Sequence, residues 1–333
     1  MRFGVELDAA EGLPAAVDLA ATAEDLGYHF VAVSEHHGGT TGVPHPLLLL
    51  AAIAERTSKV RLVSHVVLLP LHHPVLVAEQ AAMVQALSGG RVTLGVAQGY
   101  ASQDFATYGV DRRERVSRMS EALSLLRRLL TGHTVHHDGK HWRGVVATVR
   151  PLLGGWLPPP MWGGGWADEA LLRLSDHVDA WTAGAMVSTS ILKERHGFFS
   201  AAMKARRGVQ PEVFPVSREM FCAPDVREAV DRGGMAVYRL YRETFMAWGH
   251  PMLTKAERRM NYAELAHDRF IIGDPAACAD AVERLAAVGV TDVSVRFRVP
   301  GITWTEAMAS LSLFAREVVP RFTDQRPAPH AVS

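Results

Sequence analysis

Phe30-Val31-Ala32-Val33-Ser34-Glu35-His36-His37-Gly38-Gly39 reads as an apolar, β-branched strand that runs into an ionisable tip and then two glycines. Apolar residues on both faces hold such a strand in a core. Parallel sheets carry their chemistry at the carboxyl ends of strands, on loops held by a rigid scaffold. The segment is therefore predicted to be a buried strand whose end, Glu35-His36-His37, stands at a functional edge.

The same rhythm extends along the chain. Residues 2–7 predict a first strand, and Leu13, Ala16, Val17, Leu19, Ala20, Ala23 and Leu26 recur at helical spacing before Gly27 stops the helix. Pro46 opens a helix to about Arg56, residues 59–69 form a nearly continuous apolar strand, and Pro74 begins a helix that reaches Leu87 before Gly89-Gly90. A fourth strand at 91–96 and a helix at 115–130 follow. Residues 131–157 interrupt the alternation with a polar, His- and Gly-containing stretch ahead of Pro158-Pro159-Pro160. Further strands are predicted at 161–163, 178–182, 213–222 and 292–298, with helices in the segment 225–269, at 276–288 and at 305–318. Eight strands alternating with helices, with no domain-scale linker, predict a single (β/α)8 TIM barrel over residues 1–324. Rim insertions are expected near 131–160 and 225–270, and a flexible tail at 325–333. A doubly wound open sheet is the alternative.

Composition narrows the function classes. The 333 residues are 48% hydrophobic, and 35 basic side chains balance 35 acidic ones. That balance offers no electrostatic footprint for nucleic acid or an anionic membrane. The N-terminus enters a strand without a signal-peptide core, no apolar run approaches the roughly 18 residues of a membrane span, and Cys222 and Cys278 lie far apart. A cytoplasmic protein without a disulfide framework is expected.

The rim of such a barrel would gather Leu7-Asp8, Glu35-His36-His37, Ser64-His65-Val66, Gln98-Gly99-Tyr100, Gly163-Gly164-Gly165-Trp166, Thr182-Ala183-Gly184, Met220-Phe221-Cys222 and Arg296-Phe297-Arg298. No metal site is expected. The paired histidines (His36-His37, His72-His73, His136-His137) are adjacent, so on a strand they point to opposite faces, and His-x-His is absent from these strand ends. His72-His73 read as a loop and helix start. The glycines at 163–165 suit either an anion approaching backbone N–H groups at a helix start or tight strand–helix packing. Trp162, Trp166, Trp181, Met186, Phe198 and Phe199 either line a pocket or pack helices on the sheet.

The ordered set of motifs resembles the bacterial luciferase-like flavin monooxygenases nearly end to end. It comprises Met1-Arg2-Phe3-Gly4, Ser34-Glu35-His36-His37, Leu69-Pro70, His73-Pro74-Val75 with Glu79, Leu87-Ser88-Gly89-Gly90-Arg91, Gly95-Val96-Ala97-Gln98-Gly99-Tyr100, Asp104-Phe105, Tyr108-Gly109-Val110-Asp111, Gly273-Asp274-Pro275, Gly289-Val290-Thr291-Asp292, Phe314-Ala315 and Val318-Val319-Pro320. The resemblance implies the (β/α)8 barrel and a reduced FMN bound across its rim. It implies a non-proline cis peptide joining His65 and Val66, against which the flavin ring leans, with His36 as the catalytic imidazole and His37 structural. Contacts are implied from Ser64, His65, Val66, Gln98, Gly99 and Tyr100, with the phosphate between the Gly164-Gly165-Trp166 backbone and Arg115 or Arg118. The implied reaction is oxygenation of a small, bulky apolar or aromatic substrate through a C4a-peroxyflavin, by hydroxylation or a Baeyer–Villiger-type step. A separate flavin reductase supplies the cofactor, and the chain forms a homodimer through helices beside the second and third strands. An F420-dependent hydride-transfer enzyme on the same fold and a non-catalytic flavin-binding subunit are the alternatives. Ala97 and Gln98 stand where the light-emitting subunit has a reactive cysteine and an arginine, so a luciferase proper is not implied.

Overall fold

A computed structural model describes residues 1–37, 42–150, 157–247 and 252–323. The two tip glycines Gly38-Gly39, parts of both expected insertions, and the tail at 325–333 lie outside the described residues. The strands in chain order are β1 (Arg2–Leu7), β2 (Phe30–Val33), β3 (Arg61–Leu68), β4 (Val92–Ala97), β5 (Val135–His137), β6 (Val145–Ala147), β7 (Met161–Gly164), β8 (Ala180–Thr182), β9 (Pro215–Cys222), β10 (Ile271–Gly273) and β11 (Asp292–Arg296). Nine of them form one curled, wholly parallel sheet in the order β10-β9-β11-β1-β2-β3-β4-β7-β8. Helices such as Leu13–Asp25, Pro46–Arg56 and Pro74–Leu87 make the crossovers, as parallel pairing requires.

Two features differ from the sequence reading. β10 is a ninth strand, only three residues long, hidden in a stretch that reads as a helix start because Asp274 caps the helix Pro275–Ala287. It pairs with the second half of β9, Ile271 opposite Met220, while Ala183 bridges Val216 in the first half. The far edge of the sheet thus meets β9, through that one bridge and hydrogen bonds from Ala183 N–H to Pro215 O and from Ser217 N–H to Ala183 O. The polar stretch after residue 131 holds an antiparallel hairpin, β5 with β6.

Strand alternation sorts the side chains into two cores. Phe3, Val5, Val31, Val33 and Leu62 join the large cluster under the helices. Phe30, Ala32, Val63, Trp162 and Ala180 form a separate inner cluster. There the Phe30 and Trp162 rings meet edge to face, 6.2 Å apart, and the Arg61 guanidinium lies over both at 5.3 and 5.7 Å. Below them Asp292 accepts from Arg61 at 2.5 Å and Arg2 at 2.7 Å, closing the amino-terminal end of the sheet. Trp181 and Phe199 are fully buried in the cluster under the helices, where they pack helix on sheet, while the buried Trp162 fills the inner cluster instead.

Close strand approach is concentrated at β3–β4. The Ser64 hydroxyl donates to the Gly95 carbonyl at 3.0 Å and accepts from the Gly95 N–H at 2.9 Å. A Cβ on Gly95 would lie 2.1 Å from the Ser64 carbonyl oxygen, a backbone atom that cannot swing away. Gly95→Ala is therefore expected to destabilise by about 3 kcal/mol, the upper range for overpacking, read as a lowered urea midpoint; an unchanged midpoint would overturn the close approach.

Candidate active site

Glu35 is buried at the end of β2 and organises everything around it. Its Oε1 accepts from His37 Nε2 at 2.7 Å and from His72 Nε2 at 2.8 Å, and its Oε2 accepts the Leu68 N–H at 2.8 Å. Burial pushes the carboxyl pKa up, but the His72 hydrogen bond and charge, the Leu68 N–H and the His37 bond outweigh it, and the net shift is downward. The Glu35 N–H also donates to Val66 O at 3.1 Å. The end of β2 is thereby locked to the bulge of β3, where pairing with β4 slips between Ser64 and Val67 and the His65–Val66 peptide is cis. That bond is the one the resemblance implied.

Inside the sheet the next polar layer lies directly on the Phe30–Trp162 cluster. The His65 ring meets Trp162 edge-on at 6.3 Å, and its Nε2 bonds Thr182 Oγ1 at 2.7 Å. Glu6, from β1, has Ser34 Oγ at 2.8 Å and Ser217 Oγ at 3.3 Å. Arg296, from β11, donates to Glu219 at 3.2 Å, and the Tyr241 hydroxyl donates to the other Glu219 oxygen at 3.0 Å. Burial lowers the His65 pKa against the pull of Glu6, so a neutral ring is favoured.

Above this layer opens a cavity of about 560 Å³, bordered by Glu6, Ser34, His36, Leu240, Arg296 and Ile302. His36 faces it, while His37 is turned onto Glu35 and Tyr108, whose ring centroid is 4.7 Å away. Protein on its remaining sides desolvates His36 and lowers its pKa; Glu6 opposes this and Arg296 reinforces it. The ring is then neutral at pH 7, able to accept a proton. Asp8 and Arg298 border the same cavity, with Arg298 bonded to Glu11 at 2.6 Å and lying 3.7 Å from Asp8.

The remaining residues expected from the sequence divide. Val66 packs against two glycines: its Cγ1 lies 3.3 Å from where a Cβ on Gly95 would stand and 3.9 Å from one on Gly164. Gly99 takes the left-handed φ of 70° next to Phe105, and Tyr100 lies within electrostatic reach of Arg296. Gln98 is half-buried just past β4. The Ser64 hydroxyl is engaged with Gly95 inside the sheet, which leaves the Ser64 backbone for any contact at the rim. Of the three glycines, Gly163 and Gly165 serve strand–helix packing, since a Cβ would stand 2.5 and 3.1 Å from Leu174; only Gly164 faces Ala97 and Val66. Trp166 is half-buried under the Arg195 guanidinium. Arg115 donates to Arg112 O, and Arg118 donates to Pro70 O while lying over the Trp142 ring at 4.8 Å. His72 lies in the loop ahead of Pro74–Leu87, as expected, and from there bonds the Glu35 carboxylate. Met220, Phe221 and Cys222 are buried off the rim, because β9 runs on to pair with β10. Glu6, Ser217, Glu219 and Tyr241 were not anticipated. A carboxylate in the strand Arg2–Leu7, and another within the apolar Pro215–Cys222, were the available signals.

A curled parallel α/β sheet whose strand ends gather imidazole, carboxylate and guanidinium around one cavity is the framework of a small-molecule enzyme. The chain matches the luciferase-like monooxygenase family over residues 1–292 and belongs to it. It is 30% identical over 323 residues to the 4-hydroxyprotoasukamycin monooxygenase of Streptomyces nodosus subsp. asukaensis, covering 92% of this chain and 86% of that one. It is 25% identical to the oxygenase component of the flavin-dependent trigonelline monooxygenase of Acinetobacter baylyi, over 93% of this chain and 90% of the other. A shorter match, 34% over 160 residues, joins it to the F420-dependent glucose-6-phosphate dehydrogenase of Nocardia farcinica, over 45% and 47% of the two chains. In fold it resembles a monooxygenase from Streptomyces bottropensis (TM-score 0.83, 22% identity, 97% and 100% coverage). It also resembles the oxygenating constituent of 3,6-diketocamphane monooxygenase from Pseudomonas putida, solved with FMN (TM-score 0.80, 19% identity, 97% and 99% coverage).

The Glu35 clamp has a pH signature. A carboxyl whose folded pKa lies below its unfolded value adds stability above the unfolded value and loses it as pH falls through the folded one. Glu35→Gln is therefore expected to cost about 1–3 kcal/mol at neutral pH, as for a damaged buried hydrogen-bond network. The difference from wild type should shrink below about pH 4.3, the ordinary glutamate value. Denaturant titrations at several pH values measure this, and a difference that does not change with pH would refute the ionised clamp.

Proposed function

We propose that this protein is the oxygenase of a two-component monooxygenase that uses reduced FMN, delivered by a separate reductase, to place one atom of O2 on an organic substrate. The observation carrying this reading is the His36-bordered cavity beside the cis His65–Val66 bulge, which the Glu35 N–H ties to the end of β2. Bound reduced flavin supplies the activation of O2. Around it, Val66 backs the ring, and Gly99 and Tyr100 border it with His65 and Gln98. The Gly164-Gly165-Trp166 backbone with Arg115 or Arg118 holds the phosphate, and neutral His36 takes and returns a proton at the reacting edge. The substrate is bulky and partly apolar, in keeping with Leu240, Val43 and Ile302 on the cavity wall. The relatives named as an oxygenase component and as an FMN complex support both cofactor and reductase.

In this reading the curled sheet closes as a (β/α)8 barrel through the Ala183–Val216 bridge. The molecule is cytoplasmic; among the described residues no helix is long and apolar enough to cross a membrane, and both cysteines are unpaired and buried. It pairs as a homodimer through the helices Pro46–Arg56 and Pro74–Leu87, which expose Leu48, Leu76, Met83 and Leu87. Leu76→Glu with Met83→Glu should yield a monomer by sedimentation; a wild type that already sediments as a monomer would dismiss the dimer.

The F420 reading draws on the partial Nocardia relative. Against it, the rim cations Arg296 and Arg298 are paired with Glu219 and Glu11, leaving an anionic tail little uncompensated charge to meet. Titration of the protein with reduced FMN and with F420 separates the two: tight binding of F420 alone would overturn the FMN assignment. His36→Asn should retain FMN binding and lose oxygenation by about 10²-fold or more, the range of general acid–base effects. Because desolvation lowers the His36 pKa, wild-type activity should fall only as pH drops below the ordinary histidine value of about 6.5. A limb above that value would contradict the assignment.

A further inference from the structure

Four carboxylates stand around the two guanidiniums of the cavity rim. β1 and β11 pair in register up to Val5 and Val295, so the residues that follow set Glu6 beside Arg296 and Asp8 beside Arg298. Leu7 between the two carboxylates joins the cluster under the helices, which leaves Glu6 and Asp8 on the cavity face. Each arginine nevertheless holds a different carboxylate more closely. Arg296 bonds Glu219 at 3.2 Å and comes only to 4.0 Å from Glu6; Arg298 bonds Glu11 at 2.6 Å and lies 3.7 Å from Asp8. Glu6 and Asp8 border the cavity, whereas Glu219 and Glu11 stand behind its wall.

The positive charge of each guanidinium is thus offset from behind, and the two wall carboxylates are in excess. Burial lowers the Arg296 pKa, yet Glu219 and Glu6 outweigh it and the net shift is upward. Glu6 likewise opposes the desolvation that lowers the pKa of His36 and of His65. The other partners of the pair are uncharged: the Ser34 and Ser217 hydroxyls on Glu6 and the Ala10 N–H on Asp8. Such donors, and water in the cavity, solvate a carboxylate without cancelling its charge. Arg239 stands outside the mouth, exposed, with its guanidinium 4.0 Å from where a Cβ on Gly301 would lie, and exposed charge is screened by salt. A cleft lined by one sign of charge between low-dielectric walls concentrates ligands of the opposite sign.

We propose that this cavity selects organic cations, with a protonated or quaternised nitrogen seated between Glu6 and Asp8 and an apolar body against Val43, Leu240 and Ile302. That this cation is the molecule oxygenated rests on the oxygenase reading given above; the selection itself does not. Same-face neighbours on a strand lie about 7 Å apart, so one nitrogen between the two carboxylates meets both. Ligands that carry a carboxylate are rejected, because an anion gains a partner here only by displacing Glu219 or Glu11 from its arginine.

Calorimetric titration of the whole protein without flavin, using benzylammonium, benzyl alcohol and benzoate as probes, reads the selection. Benzylammonium is expected to bind about tenfold tighter than benzyl alcohol, the worth of one charge-assisted hydrogen bond, with benzoate weakest. Glu6→Gln and Asp8→Asn should each remove much of that preference. Glu11→Gln should weaken it as well, although Glu11 stands behind the wall, because Arg298 is then free to pair with Asp8; a cavity selecting by shape alone does not respond to this change. Asp8 and Glu11 are partly exposed, so their variants keep the test decisive should Glu6→Gln not fold. Equal binding of the three probes, tighter binding of benzoate, or a cation preference unmoved by Asp8→Asn and Glu11→Gln overturns the proposal. Repeating the titrations with reduced FMN separates the two readings: failure to bind FMN counts against the oxygenase, while the ranking of the probes still decides the selection.

Discussion

One buried carboxylate ties the chemistry of this protein to its fold. Glu35 accepts hydrogen bonds from two imidazoles and a backbone N–H, and its own N–H reaches Val66 O. An ionised group in that position is tolerated only when its lone pairs are met, and here three donors meet them. The consequence is geometric. The end of β2 and the bulge of β3 become a single unit, so His36 on one strand and His65–Val66 on the other hold a fixed relation across the mouth.

Beneath that unit the interior is layered by charge and size. Asp292 with Arg2 and Arg61 seals one end, Phe30 and Trp162 fill the middle, and a polar set of Glu6, Ser34, His65, Ser217, Glu219 and Arg296 lies above them, of which Glu6, Ser34 and Arg296 border the cavity. The aromatic layer excludes water from below, which strengthens the hydrogen bonds of the polar layer above it. Each strand contributes to several layers because alternate residues point inward. The same short strands therefore supply both the plug and the site.

The sequence carried the alternation of strands and helices clearly. Proline at helix starts and glycine after helix ends mark boundaries locally, so Pro46–Arg56 and Pro74–Leu87 emerged with their observed limits. β10 was not legible, since three residues beside a helix cap hold no period of their own. That His36 and His37 turn to opposite sides was legible from alternation. Their partners were not, because His72 lies 37 residues from Glu35 and nothing in its neighbourhood predicts that contact.

The order of strands, the burial of their apolar runs and the gathering of ionisable residues at their carboxyl ends were thus determined by the sequence itself, because period and punctuation act over a few residues. The tertiary structure decided which ionisable groups meet. Arg296 bonds Glu219 more closely than Glu6, Gly163 packs on Leu174 while Gly164 faces Val66, and the Ser64 hydroxyl is engaged within the sheet. Those outcomes depend on register between strands distant in sequence, where a shift of one residue exchanges the inward and outward faces.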